Sequence, residues 1–393
     1  MSSPQLTSPA ANTQSAQSSR PDQRTTRILH VINGEHYSGA ERVQDLLASA
    51  LPEFGYDVAF ACVKPGTFQQ RRQAQNAPLA DVPMRGKFDL TASRRLARVF
   101  QEWDCQILHA HTPRSLLVAS GAAKILGCPL VYHVHSPVGR DSGRSWANRL
   151  NTWSETRSLR GAARLICVSN SLREYMRGLG HTDEKLRVVH NGVPGAELEV
   201  SLDHVKPFWN LGMVALFRPR KGLEVLLEAL QKLSEQNLPI KLQCIGAFES
   251  PEYELEILEL AGRLNVAHMV EWTGFTSNVT ERLKQLNLLV LPSLFGEGLP
   301  MVVLEAMAVG LPVIASKVEG VPEAINDGRE GLLFEPGNAV ELARQIRQVI
   351  NNKALWHELS YAGWERQRAD FSDRSMAAGV AAVYDELAAP TRS

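Results

Sequence analysis

Two α/β units in series, each a doubly wound (Rossmann-like) parallel sheet, facing one another across a cleft: this is the fold class the sequence predicts. Three observations carry it. The chain has 393 residues, enough for two or three domains at ~150 residues each. Short apolar runs alternate with helical patterns, as in βαβ units. The alternation breaks once, around 191–207 (NGVPGAELEVSLDHVKPF), and then starts again.

The elements follow in order. Residues 1–26 are rich in Ser, Gln, Thr, Pro and Ala, bury almost nothing, and are expected to be a disordered tail. Residues 27–195 form the first, acceptor-side domain, with strands at 28–32, 57–63, 79–84, 106–110, 130–135, 164–168 and 186–189. Helical patterns at 40–51, 91–102, 115–126 and 170–178 lie between them. Residues 196–207 are the linker. The second domain, 208–372, has strands at 212–216, 241–245, 269–272, 288–291, 312–315 and 331–334, with helices at 222–235, 252–264, 278–286 and 338–351. Asn338 and Glu341 suit the N-cap and N3 positions of the last of these. Residues 373–393, with an amphipathic helix at 374–388, are expected to pack back on the first domain.

Composition excludes several classes. Apolar residues are 44% and charged residues 21%, ordinary globular values. The five Cys include no C-x-x-C, and Cys62, Cys105, Cys167 and Cys244 lie in apolar runs. Buried free thiols in a reducing compartment fit them better than disulfides. No apolar run reaches the ~18 residues of a membrane span, and the N-terminus lacks a signal-peptide pattern. The expected location is cytoplasmic. The net charge is zero, yet positions 27–195 hold 22 basic against 14 acidic residues. The basic first domain is compatible with peripheral contact to an anionic membrane at its inner face, and equally with drift in surface composition. No nucleic-acid partner is expected.

In open α/β sheets ligands bind beyond the strand C-termini. The most informative such place is PSLFGEGLPMVVLEAMAVGLPVIAS, residues 292–316. A strand runs through a loop into a helix, whose first N–H groups are unpaired and suit phosphate or sugar hydroxyls. Glu297 in the loop and Glu305 on the helix have seven residues between them. A carboxylate accepts two hydrogen bonds in fork fashion, which suits a vicinal diol. Glu305 lies among Val302, Val303, Leu304, Ala306 and Met307; a helix apolar all round is buried, and a buried charge needs a partner.

Taken with VEGVPEAINDGREGLLFEPGN (318–338), these residues place the chain by likeness. From about 27 to 388 it resembles the family-four glycosyltransferases with the GT-B fold, which are retaining enzymes. Their pattern is Pro-Ser, two Glu separated by seven residues, then Ala-Met-Ala-x-Gly-x-Pro-Val. The resemblance implies that Glu305 binds the ribose hydroxyls of a nucleotide and that Glu297 holds the hydroxyls of the donor sugar. It implies that the backbone at Gly298, Leu299, Met301 and Val302 completes the sugar pocket. The chain departs from the commonest form at 298–302, where Pro300 supplies no N–H, so the sugar is left open.

In VALFRPRKGLEVLLEAL, Arg218, Arg220 and Lys221 open a helix. Cations at a helix N-terminus can clamp a diphosphate; a basic solvated turn is the other reading. The family usually places its Arg where this chain has Leu216. The resemblance therefore implies Lys221 as the phosphate cation, with Arg218 substituting from a shifted position. Gly274 and Phe275, in WTGF, would lie against the base, and IGAFE (245–249) is a second glycine turn on the same side.

In the first half, HVINGEHYSGAERV places Ser38 and Gly39 between a strand and a helix. The family has Gly-Gly-Ala-Glu-Arg here, close to the donor; this chain has Ser38-Gly39-Ala40-Glu41-Arg42. His109 and His111 (ILHAHTP) and His133 and His135 (VYHVHSP) each face one side of a strand. His-x-His is a metal-ligand spacing, but no set of carboxylates accompanies it, and structural or cleft-lining histidines are the expectation. The resemblance implies a cleft-facing His135 near the reacting sugar, and His111 could shape the acceptor side. No Asp-x-Asp occurs, consistent with a transferase that needs no metal and no cofactor, the nucleotide-sugar being a substrate. Between 138 and 164 lie six Arg with Trp146, Leu150 and Trp153 at helical spacing. A lipid-facing surface and a helix packed on its own domain both fit.

The expected function is thus a retaining, metal-independent, hexosyl-type transferase, with Glu297 and His135 at the reacting centre. Its donor would be a nucleotide-sugar and its acceptor a carbohydrate or a lipid-linked group. A sugar-nucleotide epimerase of the same fold, a non-catalytic sugar-nucleotide-binding protein and a metal-dependent hydrolase built on the His pairs remain alternatives. A nicotinamide dehydrogenase does not fit, because no G-x-G-x-x-G follows a strand.

Overall fold

The computed structural model describes residues 25–37, 39–86, 89–137, 159–198, 208–236 and 238–388. Most of the expected tail, Ser38, the stretch bearing Trp146, Leu150 and Trp153, and most of the expected linker lie outside the described residues.

The first sheet comprises β1 (Thr26–Ile32), β2 (Tyr56–Cys62), β3 (Leu79–Asp81), β4 (Cys105–Ala110), β5 (Leu130–Val134), β6 (Arg164–Cys167) and β7 (Leu186–Val188). All its pairings are parallel, in the order β3-β2-β1-β4-β5-β6-β7. The second contains β8 (Trp209–Val214), β9 (Ile240–Ile245), β10 (Val270–Gly274), β11 (Leu288–Leu291), β12 (Val313–Ser316) and β13 (Leu332–Phe334). It too is parallel, in the order β10-β9-β8-β11-β12-β13. Strand order reverses beside β1 and β8, so each sheet has a switch point where strand ends open onto a shared crevice.

The strands read as near-continuous apolar runs because both faces are covered by helices. Ile28, Leu29, Leu108, Val131 and Leu165 are inaccessible in the first sheet, as are Leu211, Leu242, Leu289 and Ile314 in the second. Side-chain caps start several helices: Thr112 accepts from Ser115 N, Ser169 from Leu172 N, Ser250 from Tyr253 N and Asn338 from Glu341 N. All five cysteines are free, and all but Cys128 are buried. No described helix is long and apolar enough to cross a membrane.

One long helix has no counterpart among the expected ones. Lys353–Asp370 runs for 18 residues, and its buried face carries Trp356, Leu359, Ser360, Gly363 and Gln367. Small and polar residues take apolar places there, and hydrogen bonds replace apolar contact. Ser360 Oγ donates to Gly310 O at 2.5 Å, and Gln367 Nε2 donates to Val193 O at 2.8 Å. Strand β8 also begins three residues earlier than expected, at Trp209.

The chain then crosses back. Val193 and Ser372 form a parallel bridge, and the helix Asp373–Ala388 lies against the helix Gly39–Ala50. Glu386 accepts from Arg164 Nε and Arg187 Nε at 2.7 Å each. Tyr384, fully buried, reaches the ends of β1 and β4.

Candidate functional site

The loop between β11 and the helix Met301–Ala308 is held from several sides. Glu297 is 6% exposed. Its Oε1 accepts from Lys221 Nζ at 2.5 Å and from Ser293 Oγ at 2.6 Å. The N–H groups of Gly296 and Glu297 donate to Glu319 Oε2 at 3.0 and 3.2 Å, and Gly320 N–H donates to Glu297 O at 3.0 Å. Glu319 has a φ of 29°, outside the usual range for a residue with a side chain. Burial alone would raise the Glu297 carboxyl; Lys221, and then Ser293, outweigh burial and hold it below the usual carboxylate range.

Glu305 sits within the helix, 4% exposed, where the apolar sequence around it predicts burial. Its partner comes from the other domain: Arg42 Nη1 lies 2.5 Å from Glu305 Oε1. Here burial outweighs the cation, and the carboxyl is pushed up. The two glutamates of one segment are thus driven in opposite directions by their surroundings.

Lys221 ends the short 3₁₀ turn Pro219–Lys221 before the helix Leu223–Ser234. Arg218, the first residue of that corner, lies 3.4 Å from Glu249, while Leu216 is 40% exposed. Arg220 turns the other way, donating from Nη1 to Gly296 O at 3.2 Å. The structure therefore brings Lys221 to Glu297 and leaves Arg218 at the neighbouring glycine turn, beside Glu249. Gly274 closes β10, and a Cβ there would meet nothing within 4 Å. Phe275 is half exposed, with the Arg71 guanidinium 4.1 Å from its ring centre.

The two domains touch through the same loop. A Cβ on Gly298 would lie 2.1 Å from His135 O, and one on Gly320 would lie 1.6 Å from Gly298 O. Only glycine allows this approach of three backbone segments. Asn191 Nδ2 donates to Leu299 O at 2.9 Å. Met301 and Val302 begin the helix, and Gly39 faces Met301.

His135 follows directly on β5 and lies 3.2 Å, through Nε2, from His111 Nδ1. Burial pushes His135 down to about 4. His30 on β1 joins the group, and burial pushes it down to about 3.

Arg42, Ser293, Glu319 and Arg71 were not given roles from sequence, and Arg220, grouped there with the phosphate cations, instead donates to the Gly296 carbonyl. Arg42 and Ser293 stood inside the quoted motifs, and their positions were the available signal. Glu319 also stood inside a quoted segment (318–338), whereas Arg71 acts across a fold of the chain that no local pattern encodes.

Two parallel-sheet domains, with paired carboxylates at a strand-to-helix loop between them, make up a GT-B architecture. Residues 37–196 match the family described as Glycosyltransferase Family 4, and residues 198–366 match Glycosyl transferases group 1. Together the two matches span most of the chain, which belongs to the glycosyltransferases. Two uncharacterized glycosyltransferases of Methanocaldococcus jannaschii are 32% and 28% identical over 231 and 263 residues. Those stretches take up 57% and 63% of this chain but only 60% and 66% of the relatives. The phosphatidyl-myo-inositol mannosyltransferase of Mycobacterium leprae is 26% identical over 310 residues, 77% of this chain and 79% of that protein. The crystal structure of Anabaena HepE in complex with UDP-glucose superposes with a TM-score of 0.80 at 22% identity, covering 92% of this chain and 100% of that one.

Proposed function

We propose that this protein transfers a hexosyl group from a nucleotide-sugar to a carbohydrate or lipid-linked acceptor with retention of configuration, with no metal needed at the diphosphate. The observation that carries the reading is the Lys221–Glu297–Ser293 constellation, set against the backbone of His135 through Gly298. It puts an ionised carboxylate, a cation and a helix N-terminus at one point of the interdomain cleft.

In this reading Glu305 takes the ribose and Arg42 orients its carboxylate. Lys221, the first N–H groups of Leu223–Ser234 and Arg218 face the diphosphate, where they stabilise charge that develops as it leaves. Glu297, held by Ser293, takes hydroxyls of the donor sugar. The N–H groups at Gly298, Leu299, Met301 and Val302 and the half-buried His135 line the rest of the sugar site; Gly39 borders the phosphates, and Gly274 and Phe275 the base. The acceptor hydroxyl attacks C1 on the face from which the diphosphate departs. The C1–O bond to phosphate breaks, the C1–O bond to the acceptor forms, and the acceptor's proton passes to an oxygen of the leaving diphosphate.

The Anabaena structure holds UDP-glucose, and the mycobacterial relative is named for a lipid acceptor; uridine donors and lipid-linked acceptors are therefore tested first. Thermal unfolding with UDP, GDP, ADP, TDP and their sugar conjugates is expected to show one base stabilising the fold. At ~100 times the dissociation constant the gain is about 2.7 kcal/mol, and Glu305→Ala should lose it. No shift with any nucleotide overturns the donor site. An inverted linkage in the product by NMR overturns retention.

A further inference from the structure

Five imidazoles gather where the first sheet opens onto the cleft. His30 belongs to β1, His109 to β4 and His133 to β5, while His111 and His135 lie just beyond β4 and β5. Four of them join with one phenol in a single hydrogen-bonded chain. From the cleft inward, His135 Nε2 lies 3.2 Å from His111 Nδ1, and His111 Nε2 lies 3.1 Å from His30 Nδ1. His30 Nε2 lies 3.1 Å from the Tyr384 hydroxyl, and that hydroxyl lies 2.6 Å from His109 Nδ1. We propose that Tyr384, on the last helix, is a positioning residue for the sugar site: through His30 and His111 it holds the proton of His135 on Nε2, so that Nδ1 meets the donor sugar as an acceptor.

A neutral imidazole has one N–H and one lone pair, and the bond made by one nitrogen settles the other. Burial keeps all four rings neutral near pH 7, pushing His30 to about 3, His135 to about 4, and His109 and His111 well below the usual histidine value. It also pushes the Tyr384 hydroxyl well up, so that group keeps its one proton. Only two orders then satisfy every contact while Tyr384 donates: all bonds run toward His109, or all run toward His135. The tyrosine contacts decide between them. A hydroxyl donates over shorter distances than a ring N–H does. The 2.6 Å contact therefore has Tyr384 donating to His109 Nδ1, and the 3.1 Å contact has His30 Nε2–H donating to Tyr384. It follows that His111 Nε2–H donates to His30 Nδ1, and His135 Nε2–H to His111 Nδ1. His109 Nε2 has no partner among the described residues; it lies outside the chain in either order and does not choose between them.

His135 is left with a bare Nδ1. Its Nε2 points inward to the buried His111, so Nδ1 is the nitrogen left for the cleft, where His135 is half-buried. Turning the ring over would exchange the two, and His133 resists that. It is stacked on His135 with ring centres 4.4 Å apart and planes 17° from parallel. Stacking thus holds the plane of the ring, and the chain holds its proton. On the transferase reading above, on which this inference rests, a hydroxyl of the donor sugar donates to that nitrogen. Tyr384 touches no part of the donor and acts through two imidazoles.

The test uses the full chain with its histidines labelled in the heavy nitrogen isotope, and NMR of the ring nitrogens near pH 7. In the wild type His30, His109, His111 and His135 are expected as Nε2–H tautomers. Tyr384→Phe deletes the hydroxyl that sets the direction, and His135 should become a mixture of both tautomers. Tyr56→Phe is the control. The Tyr56 hydroxyl donates to Asp385 on the same helix, and its ring meets Tyr384 edge-on at 5.1 Å, so this variant loosens the helix without touching the chain. It should leave His135 unchanged. Calorimetry then compares UDP-glucose with UDP. Tyr384→Phe should weaken UDP-glucose about 3–10-fold and leave UDP as it was; Tyr56→Phe should alter neither. A wild-type His135 with its proton on Nδ1 overturns the proposal even where Tyr384→Phe fails to fold. So does a tautomer untouched by Tyr384→Phe or shifted equally by Tyr56→Phe, and so does equal weakening of UDP-glucose and UDP by Tyr384→Phe. Binding of neither nucleotide defeats the uridine donor of the transferase reading, while the tautomers, read without ligand, still decide the chain.

Discussion

Arg42 Nη1 and Glu305 Oε1 meet at 2.5 Å across the two domains, and the two partners are buried to different depths. The Arg42 side chain is 26% exposed, the Glu305 side chain 4%. Removing one partner therefore has unequal effects. Arg42→Ala strands a buried carboxylate and should cost about 3 kcal/mol, the low end for a broken buried pair. Glu305→Gln leaves an arginine that can turn to water and should cost about 1 kcal/mol. Urea unfolding of both variants checks this; equal losses would show that the pair is screened like a surface bridge.

Lys221 is the cation that keeps Glu297 ionised against burial. Lys221→Met should lower kcat about 100-fold, as removal of one charge-stabilising donor does. It should also add a limb to the pH–rate profile. With the cation gone, burial raises the carboxyl, so activity climbs with pH through a carboxyl titration that the wild type lacks. A variant profile parallel to the wild-type one would separate Lys221 from Glu297.

Gly298→Ala drives a methyl group into His135 O, 2.1 Å from where its Cβ would stand. The loop and the end of β5 must separate. The expected cost is about 1–3 kcal/mol, with donor affinity falling more than stability because the proposed donor site spans that seam. Calorimetry with the stabilising nucleotide measures the affinity, and unchanged affinity would place the donor elsewhere.

Glu323 ties the domains from the other side. Its carboxylate accepts from Asn170 N at 2.7 Å and Ser171 N at 2.8 Å, and lies 3.1 Å from His190 Nε2. Burial opposes ionisation, yet His190 and these N–H groups outweigh it and bring the carboxyl down from 4.5 to about 2. A depressed carboxyl stabilises the fold above its unfolded value and loses that stability as pH falls. The window is therefore pH 4.5 down to about 2. The shift corresponds to an upper bound of about 3 kcal/mol, reduced to about 1–2 kcal/mol by solvent screening. Glu323→Gln should flatten the acid limb of stability in that window and leave the neutral region uniformly lower. An unchanged acid limb would remove Glu323 from the account.

All thirteen strands were legible in the sequence, most of them because parallel strands covered on both faces are short unbroken apolar runs; the half-exposed edge strand Val270–Gly274 is the weakest such run. The burial of Glu305 was legible for the same reason, since nothing around it could face water. The helix Lys353–Asp370 was not, because Ser360 and Gln367 hold its inner face by hydrogen bonds and leave no apolar stripe. The site was legible where its parts lie within one segment, as with Ser293 and Glu297. It was illegible where parts come from separate strand ends. Arg42 meets Glu305 and Arg71 meets Phe275 only after two sheets have formed and faced each other, and His30 meets His111 only once β1 and β4 have paired.

The helix Asp373–Ala388 sets the order in which the molecule can be finished. Tyr384 follows His109 by 275 residues and His30 by 354. A ribosome adding about 5–20 residues per second supplies that hydroxyl roughly 15–55 seconds after His109. For most of that interval the first sheet, whose last strand ends at Val188, is already synthesised but lacks the side chain that closes its interior. The N-terminal half therefore cannot mature ahead of the C-terminal half, and the last helix made completes the first domain begun.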